Sequence, residues 1–157
     1  MLPFFADYIA LLQTLHEDIK NALEDLPQAA LDWVPGDEMN SLAVLIAHVA
    51  GSEKYWIGDV LARGATQRVR DTEFQTGGLG HAALLGLLDD ALADSQQAVA
   101  TLTLEDLHTS RPLPGHENAA STSWCLLHAL EHVATHLGHI QLARQVWLQQ
   151  QGSTSHV

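Results

Sequence analysis

Four segments of the chain repeat apolar residues every three or four positions, and this spacing constrains the fold more than any other feature of the sequence. They cover residues 3–25, 41–63, 81–102 and 121–151. Such a spacing forms a continuous apolar stripe on an α-helix, and the stripe has to be buried against other helices. No segment alternates apolar and polar residues with the period of two that is typical of a strand. The sequence therefore predicts an all-α fold, most simply a four-helix bundle.

Two of the predicted connections are longer than the links of 2 to 8 residues that usually join helices in a bundle. They cover residues 64–80 and residues 103–120. Connections of this length are often functional or wrap one end of a bundle. Thr103 and Asp106 have the spacing of a capping box, which predicts a short helix inside the second connection.

The composition is that of a single domain with an acidic surface. The chain has 157 residues, of which 46% are apolar. This predicts one domain over residues 1–151, followed by a disordered tail over residues 152–157. Seven Lys and Arg against 19 Asp and Glu give a formal net charge of −12. Such a charge repels phosphate backbones and anionic lipids, so we expect neither a nucleic-acid partner nor attachment to a membrane.

The cysteine content and the N-terminal residues indicate where the protein acts. Cys125 is the single cysteine, so no intramolecular disulfide can form, which is typical of a reducing compartment. The first residues lack the basic opening of a signal peptide and carry Asp7 within an apolar run. These features predict a cytoplasmic protein. We expect Cys125 to be buried as a small apolar side chain, since no neighbour in sequence would lower its pKa.

Closely spaced histidines near the C-terminus are the strongest functional signal. His128, His132 and His136 stand four residues apart, and His139 follows three residues later. All four fall within about 80° of one helix face, so at least two imidazoles can approach one ion. His136 and His132 lie nearest the apolar side of their helix. The spacing indicates a metal site, while partly buried or solvent-facing histidines without a metal remain the alternative.

A third protein ligand, the usual complement of a catalytic zinc site, has to come from another helix. His48 is the best-placed candidate because it lies mid-helix beside the apolar stripe of the second predicted helix. His16 on the first predicted helix is a weaker candidate. A hydrogen bond from His48 to a backbone carbonyl at the edge of the core explains this residue equally well. Three further histidines fall in or near loops: His81, His108 and His116.

At this point the chain resembles the DinB-like (YfiT-like) metal-binding four-helix bundles, a family that includes bacillithiol S-transferases and relatives of the mycothiol-dependent maleylpyruvate isomerase. The resemblance covers nearly the whole chain. It depends on the runs SLAVLIAHVAGSEKYWI and TLEDLHTSRPLPGHENAASTSWCLLHALEHVATHLGHI, and above all on His132-x3-His136-x-Gly138 with a separate His48. The resemblance implies that His48, His132 and His136 bind a divalent ion, commonly zinc or nickel. The family often has Gln where this chain has His139.

The resemblance also implies a reaction. In that interpretation a low-molecular-weight thiol binds at the open position of the ion, loses its proton, and attacks a small electrophile as the thiolate. A metal-dependent hydrolase needs only hydroxide in place of the thiolate, so it stays open as an alternative. The other alternative is a non-catalytic, metal-binding bundle of the stress response. We expect a homodimer in either case.

Glu53 is the candidate catalytic residue outside the histidines. It falls near the middle of the apolar arc of the second predicted helix, where a carboxylate needs a partner. It is interpreted either as a base or as the group that orients a ligating imidazole. A structural ion pair with Arg144 and an exposed position on a bent helix are the alternatives.

The aromatic side chains are interpreted mainly as packing. Tyr55 and Trp56 follow Glu53 and are predicted to belong to the core, with a substrate platform as the alternative. The other tryptophans are also interpreted as packing residues: Trp33, Trp124 and Trp147.

Overall fold

The structure, a computed structural model, describes residues 1–62, 68–114 and 117–154. Its helices in chain order are α1 (Pro3–Leu23), α2 (Gln28–Asp32), α3 (Leu42–Glu53), α4 (Arg70–Glu73), α5 (His81–Ala100) and α6 (Thr122–Thr154). The four longest correspond to the four predicted segments, and the prediction of an all-α bundle is confirmed. Three features of the sequence interpretation lie outside the described residues: His116, the predicted helix end at Arg63, and the disorder expected at residues 155–157.

The four long helices surround one hydrophobic core. Helix α3 packs against α5 and α6, and α1 packs against the same two helices. Helices α1 and α3 are therefore diagonally opposite in the bundle. The side chains between them are among the best buried of the described residues and include Phe5, Leu12, Ile19, Ile46, Leu88 and Ile140. Burying each such side chain contributes about 1.5–3 kcal/mol, which explains why the apolar stripes determine the architecture.

Helix α3 begins as predicted and then widens. Ser41 caps it, because its Oγ accepts a hydrogen bond from the backbone N–H of Val44 at 3.3 Å. After Glu53 the chain continues as a π-helix over Lys54–Asp59, where the sequence predicts a regular α-helix. A π turn holds more residues than an α turn and so changes the face on which later side chains lie.

The connection between α5 and α6 is more ordered than expected. Thr103 and Asp106 form the predicted capping box, with N–H of Thr103 donating to Asp106 Oδ2 at 2.9 Å and N–H of Asp106 donating to Thr103 Oγ1 at 3.4 Å. A 3₁₀ turn follows at Glu105–His108. Strands β1 (Ser110–Pro112) and β2 (Ala119–Ser121) then pair antiparallel, a pairing too short to show as alternation in the sequence.

No helix among the described residues is both long and apolar enough to cross a membrane.

Candidate metal centre

Three histidines from two helices meet where α3 packs against α6. His48 is near the middle of α3, and His132 and His136 lie one turn apart on α6. Each offers one ring nitrogen, and these three atoms all lie within 4.8 Å of one another. The Nε2 atoms of His48 and His132 are 3.2 Å apart. The structure therefore brings together the three histidines that the resemblance implies as ligands.

The donor set suits a divalent ion. Nitrogens at two corners of a tetrahedron are about 3.3 Å apart when each lies 2.0–2.1 Å from a central zinc. The separation of the His48 and His132 Nε2 atoms, 3.2 Å, is close to that value. Three imidazoles also leave a fourth vertex for a further ligand, which is the arrangement of catalytic rather than structural zinc sites.

Glu73 on α4 fixes the orientation of the His48 ring. The Nδ1–H of His48 donates to Glu73 Oε2 at 2.8 Å, and a carboxylate can only accept in this pair. The Nε2 atom of His48 therefore keeps its lone pair, and it is this atom that lies beside His132. A carboxylate in this position is a regular partner of metal-ligating histidines, because it sets the tautomer and raises the basicity of the ring.

Arg68 binds the Glu73 carboxylate, and Gly51 leaves the space that this carboxylate occupies. Arg68 donates from Nε to Glu73 Oε1 at 2.6 Å and from Nη2 to Oε2 at 2.9 Å. Burial alone raises the pKa of Glu73, but the hydrogen bonds from Arg68 and His48 outweigh it and hold the pKa below its usual value. Gly51 on α3 makes room for this group, because a Cβ there would overlap Glu73 Oε1.

The two α6 histidines are held in the neutral form that metal ligands require. Burial and the nearby imidazoles lower the pKa of His132 to about 3 and that of His136 to about 4. Both rings are therefore uncharged at neutral pH, each with one N–H and one nitrogen that has a free lone pair. Their lone pairs are available without a proton having to leave first.

The remaining histidines of the C-terminal group flank this cluster. His139 is exposed, and its Nδ1 lies 3.3 Å from Nδ1 of His136. His128 lies on the other side, one turn before His132, with the ring centroids 5.9 Å apart. His128 also stacks on Trp124, with the centroids 4.6 Å apart and the planes at 20°.

Glu53 is in a different part of the bundle interior. It accepts hydrogen bonds from His16 Nε2 at 2.6 Å and from Ser95 Oγ at 2.7 Å, and its side chain is fully buried. The exposed position considered for Glu53 is therefore wrong. Arg144, the alternative partner, donates to the backbone carbonyl of Glu24 instead. The carboxylate bonded to His48 is that of Glu73. A catalytic role for Glu53 stays a prediction.

Other predicted candidates are placed away from the cluster. His16 is bonded to Glu53, and His81 Nε2 lies 3.1 Å from the carbonyl oxygen of Leu23. Cys125 is buried as predicted, and burial raises the pKa of its thiol to about 11. Trp124 packs against Trp56 and His128, although 47% of this residue is exposed.

Sequence reasoning missed Glu73, Arg68 and Gly51. Glu73 and Arg68 lie in a connection that was expected to have no regular structure, and nothing in a single sequence pairs that connection with α3. Gly51 lies inside a helix, where a glycine costs stability and so indicates a close approach of another group. That glycine was the one signal that pointed to a contact.

Comparisons with known proteins place the chain in a family. The family model of the mycothiol S-transferases matches residues 7–148. The chain therefore belongs to the mycothiol S-transferase family, within the DinB/YfiT-like superfamily that the sequence motifs resemble. The match supports a thiol-dependent enzyme. A search of curated protein sequences finds no match.

Solved structures share the fold at low sequence identity. A conserved protein from Enterococcus faecalis has a TM-score of 0.74 at 13% identity, over 93% of this chain and 98% of its own. The sibling lethal factor precursor DfsB has a TM-score of 0.66 at 18% identity, over 96% and 98% of the two chains. Mycothiol-dependent maleylpyruvate isomerase has a TM-score of 0.63 at 17% identity, and the match covers 87% of this chain and 60% of that enzyme.

Proposed function

We propose that this protein is a divalent-metal-dependent thiol S-transferase in which His48, His132 and His136 hold the ion. The observation that supports this most directly is the convergence of three ring nitrogens from two helices within 4.8 Å. The family adds the reaction class, because its name couples a low-molecular-weight thiol to S-transfer. Zinc or nickel is the proposed metal, since both accept neutral imidazole ligands.

The surroundings of the cluster suit activation of a thiol. Three neutral imidazoles add no negative charge, so an ion held by them keeps its full positive charge. A divalent ion in this position supplies Lewis acidity that lowers the pKa of a thiol ligand, so that the thiolate is the nucleophile at neutral pH. Glu73 keeps the proton of His48 on Nδ1 and directs Nε2 at the cluster. The Arg68 guanidinium balances the charge of Glu73.

A small cavity next to the cluster suits an electrophile of modest size. Its volume is about 200 Å³, and it borders His139, which lies 3.3 Å from His136. The wall is largely apolar, with Met39, Leu45, Leu142 and Ala143 among its residues. Apolar walls with a few polar groups are the usual surroundings of a small-molecule site. We propose that the electrophile enters here.

The test is metal analysis followed by a thiol-conjugation screen. Protein purified without chelator is expected to contain about one equivalent of zinc or nickel. It is then assayed with bacillithiol, mycothiol, glutathione and cysteine against a panel of small electrophiles. We expect a thioether product with at least one thiol and loss of product after metal removal. Consumption of the electrophile without incorporation of the thiol would indicate a hydrolase instead.

Histidine substitutions provide the control. His48→Ala is expected to abolish metal uptake, whereas His108→Ala on the exposed 3₁₀ turn keeps the metal content of the wild type. Removing the metal from the wild type with a chelator leaves the Glu73–His48 pair in place, so the change in thermal stability then measures how far the ion supports the fold. Complete unfolding on metal removal would favour a structural metal and count against the enzyme. Absence of bound metal in the wild-type protein would contradict the three assigned ligands.

Two predictions about the whole protein accompany this proposal. We propose a homodimer, which light scattering coupled to gel filtration measures directly. We also propose a cytoplasmic location, which fractionation of the native host tests.

A further inference from the structure

A cluster of rings extends the histidine row toward the start of α6. Trp56, Trp124 and His128 contact one another, with ring centroids 4.6–5.1 Å apart. We call these three residues the tryptophan platform. His128 and Trp124 are nearly parallel, at 20°, and Trp56 meets both rings edge-on. Trp124 is 47% exposed, so part of the platform faces solvent.

The platform is continuous with the candidate metal centre. Two ring-to-ring steps lead from Trp124 to His132, 4.6 Å to His128 and then 5.9 Å onward. The π-helix in which Trp56 lies contributes to this arrangement. In a regular helix Trp56 would point about 80° away from His48, eight residues earlier, and a wider turn reduces that angle. Both side chains consequently contact histidine rings of α6.

We propose that the tryptophan platform binds the ring-shaped end of the thiol co-substrate, the end that is remote from the sulfur. This inference rests on the proposed function, because it places the sulfur at the histidine cluster. Mycothiol is the thiol in the family name. Chemically it is an N-acetylated cysteine joined to two polyhydroxylated six-membered rings, with the sulfur on the cysteine. The C–H groups on the face of such a ring are weakly positive and pack against the negative face of an indole.

Distance assigns the platform to the thiol rather than to the electrophile. Trp124 and His132 are eight residues apart on one helix, which corresponds to about 12 Å between their Cα atoms. An electrophile has to touch the sulfur when the new bond forms, so a small one cannot also lie on Trp124. A thiol with its sulfur at the cluster has to extend that far if its remote rings are to be bound. The cavity beside His139 lies at the opposite end of the row.

The polar edge of the platform fits the same ligand. His128 Nδ1 lies 3.4 Å from the carboxylate of Glu131, whose side chain is 71% exposed. An aromatic surface bordered by an imidazole and a carboxylate offers both ring contacts and hydrogen bonds to hydroxyl groups. A purely hydrocarbon ligand would leave the polar groups unused.

The test compares a ring-bearing thiol with a truncated one. For wild-type protein, Trp124→Ala and Trp124→Leu, kcat/KM is measured with mycothiol and with N-acetylcysteine against the same electrophile. We expect kcat/KM with mycothiol, divided by kcat/KM with N-acetylcysteine, to fall by more than about tenfold in both variants. A loss of this size is typical of removing one stacked ring. Trp147→Ala is the matched control, because Trp147 lies on the same helix, 11 residues beyond His136, and meets Trp33 edge-on, so this variant should keep the wild-type ratio.

A binding measurement separates failure of this inference from failure of the proposed function. Calorimetry with glucosaminyl-inositol, the sulfur-free end of mycothiol, needs neither metal chemistry nor turnover. Binding to the wild type that is lost in Trp124→Leu, with metal content and circular dichroism unchanged, supports the platform even if no thiol is conjugated. Absence of binding to the wild type, or equal binding to Trp124→Leu, overturns it. The inference would also be overturned if the Trp124 variants kept the wild-type ratio of kcat/KM for the two thiols but had a raised KM for an aromatic electrophile. That result would assign the platform to the electrophile.

Discussion

Two buried carboxylate–histidine pairs among the described residues use the same chemistry for different purposes. Glu53 and His16 are joined at 2.6 Å deep in the bundle, and both side chains are fully buried. Glu73 and His48 are joined at 2.8 Å at the edge of the bundle, with 9% and 8% of their side chains exposed. Each histidine uses one ring nitrogen for its carboxylate. The other nitrogen distinguishes the pairs.

The surroundings of that second nitrogen decide what each pair does. His48 Nε2 lies 3.2 Å from a nitrogen of another histidine, in a cluster with space for an ion. His16 Nδ1 is buried without a hydrogen-bond partner among the described residues. A carboxylate–histidine pair is thus a candidate site only where the ring has a free lone pair directed at other donors. The pair at Glu53 instead ties α1, α3 and α5 together through His16 and Ser95.

The largest effect on the free energy of unfolding is expected when the buried pair of Glu53 and His16 is broken. Glu53→Ala leaves His16 buried without its partner, which should lower the free energy of unfolding by about 3–5 kcal/mol. Metal affinity should stay within a few-fold of the wild type. Urea denaturation and metal titration measure the two quantities. If Glu53→Gln folded with wild-type stability yet lost kcat, Glu53 would be catalytic and the two pairs would share one function.

The thiol of Cys125 provides a pH test of the same core. Burial raises its pKa from the ordinary 9.0 to about 11, so the folded protein holds this proton where the unfolded chain has released it. Stability from this group is complete below pH 9 and is lost as pH rises toward 11, by about 2–3 kcal/mol. Unfolding free energies across this range should decline by about 2–3 kcal/mol more in the wild type than in Cys125→Ala, because burial also raises the pKa of Tyr8 and lowers the stability of both proteins at high pH. Parallel curves would mean that the thiol titrates normally.

At the edge of the bundle, substitution of Glu73 is expected to change the affinity for the metal. Glu73→Gln keeps the shape of the side chain but removes the charge that orients His48, which should lower metal affinity by about 10- to 100-fold. Competition with a chromophoric chelator measures this loss. Glu17→Gln, on the exposed face of α1, is the control and should bind the ion as tightly as the wild type does. An unchanged affinity in Glu73→Gln would show that the His48 ring is held by packing alone.

The smallest effect is expected at the glycine that accommodates Glu73. Gly51→Ala places a Cβ against the carboxylate and should displace it from His48, lowering metal affinity by a few-fold, less than in Glu73→Gln. In Gly86→Ala, on α5, the new Cβ meets no atom within 4 Å. That control should leave metal affinity unchanged and stabilise the helix by about 0.5–1 kcal/mol. Equal metal affinities in the two variants would show that the close approach has no role.

Much of the fold followed from local patterns. The apolar stripes located the long helices to within a few residues, and the capping box of Thr103 and Asp106 was readable because a cap acts within four residues. The spacing of His132 and His136 placed both on one face for the same reason. Their proximity to His48 was expected from the family motif, since spacing left His16 open as an alternative. The role of the three histidines as ligands stays a prediction.

Contacts between distant segments could not be read in this way. Glu53 was one candidate for a carboxylate that orients a ligating imidazole, whereas the carboxylate bonded to His48 is Glu73, on a short helix inside a predicted loop. Trp124 was expected to serve in packing and does contact Trp56 and His128, yet 47% of this residue is exposed, because it lies on a different face of α6 from the fully buried Thr122 and Cys125.

The sequence by itself determined that the chain forms long helices, which face of each is apolar, and that two histidines share one face of α6. These are consequences of backbone periodicity and reach only about one turn along a helix. The tertiary structure decided which carboxylate meets which imidazole, which histidine completes the cluster, and which tryptophan is exposed. Those outcomes depend on how helices far apart in sequence pack together, and small shifts in rotation, such as the π turn after Glu53, change which side chains meet.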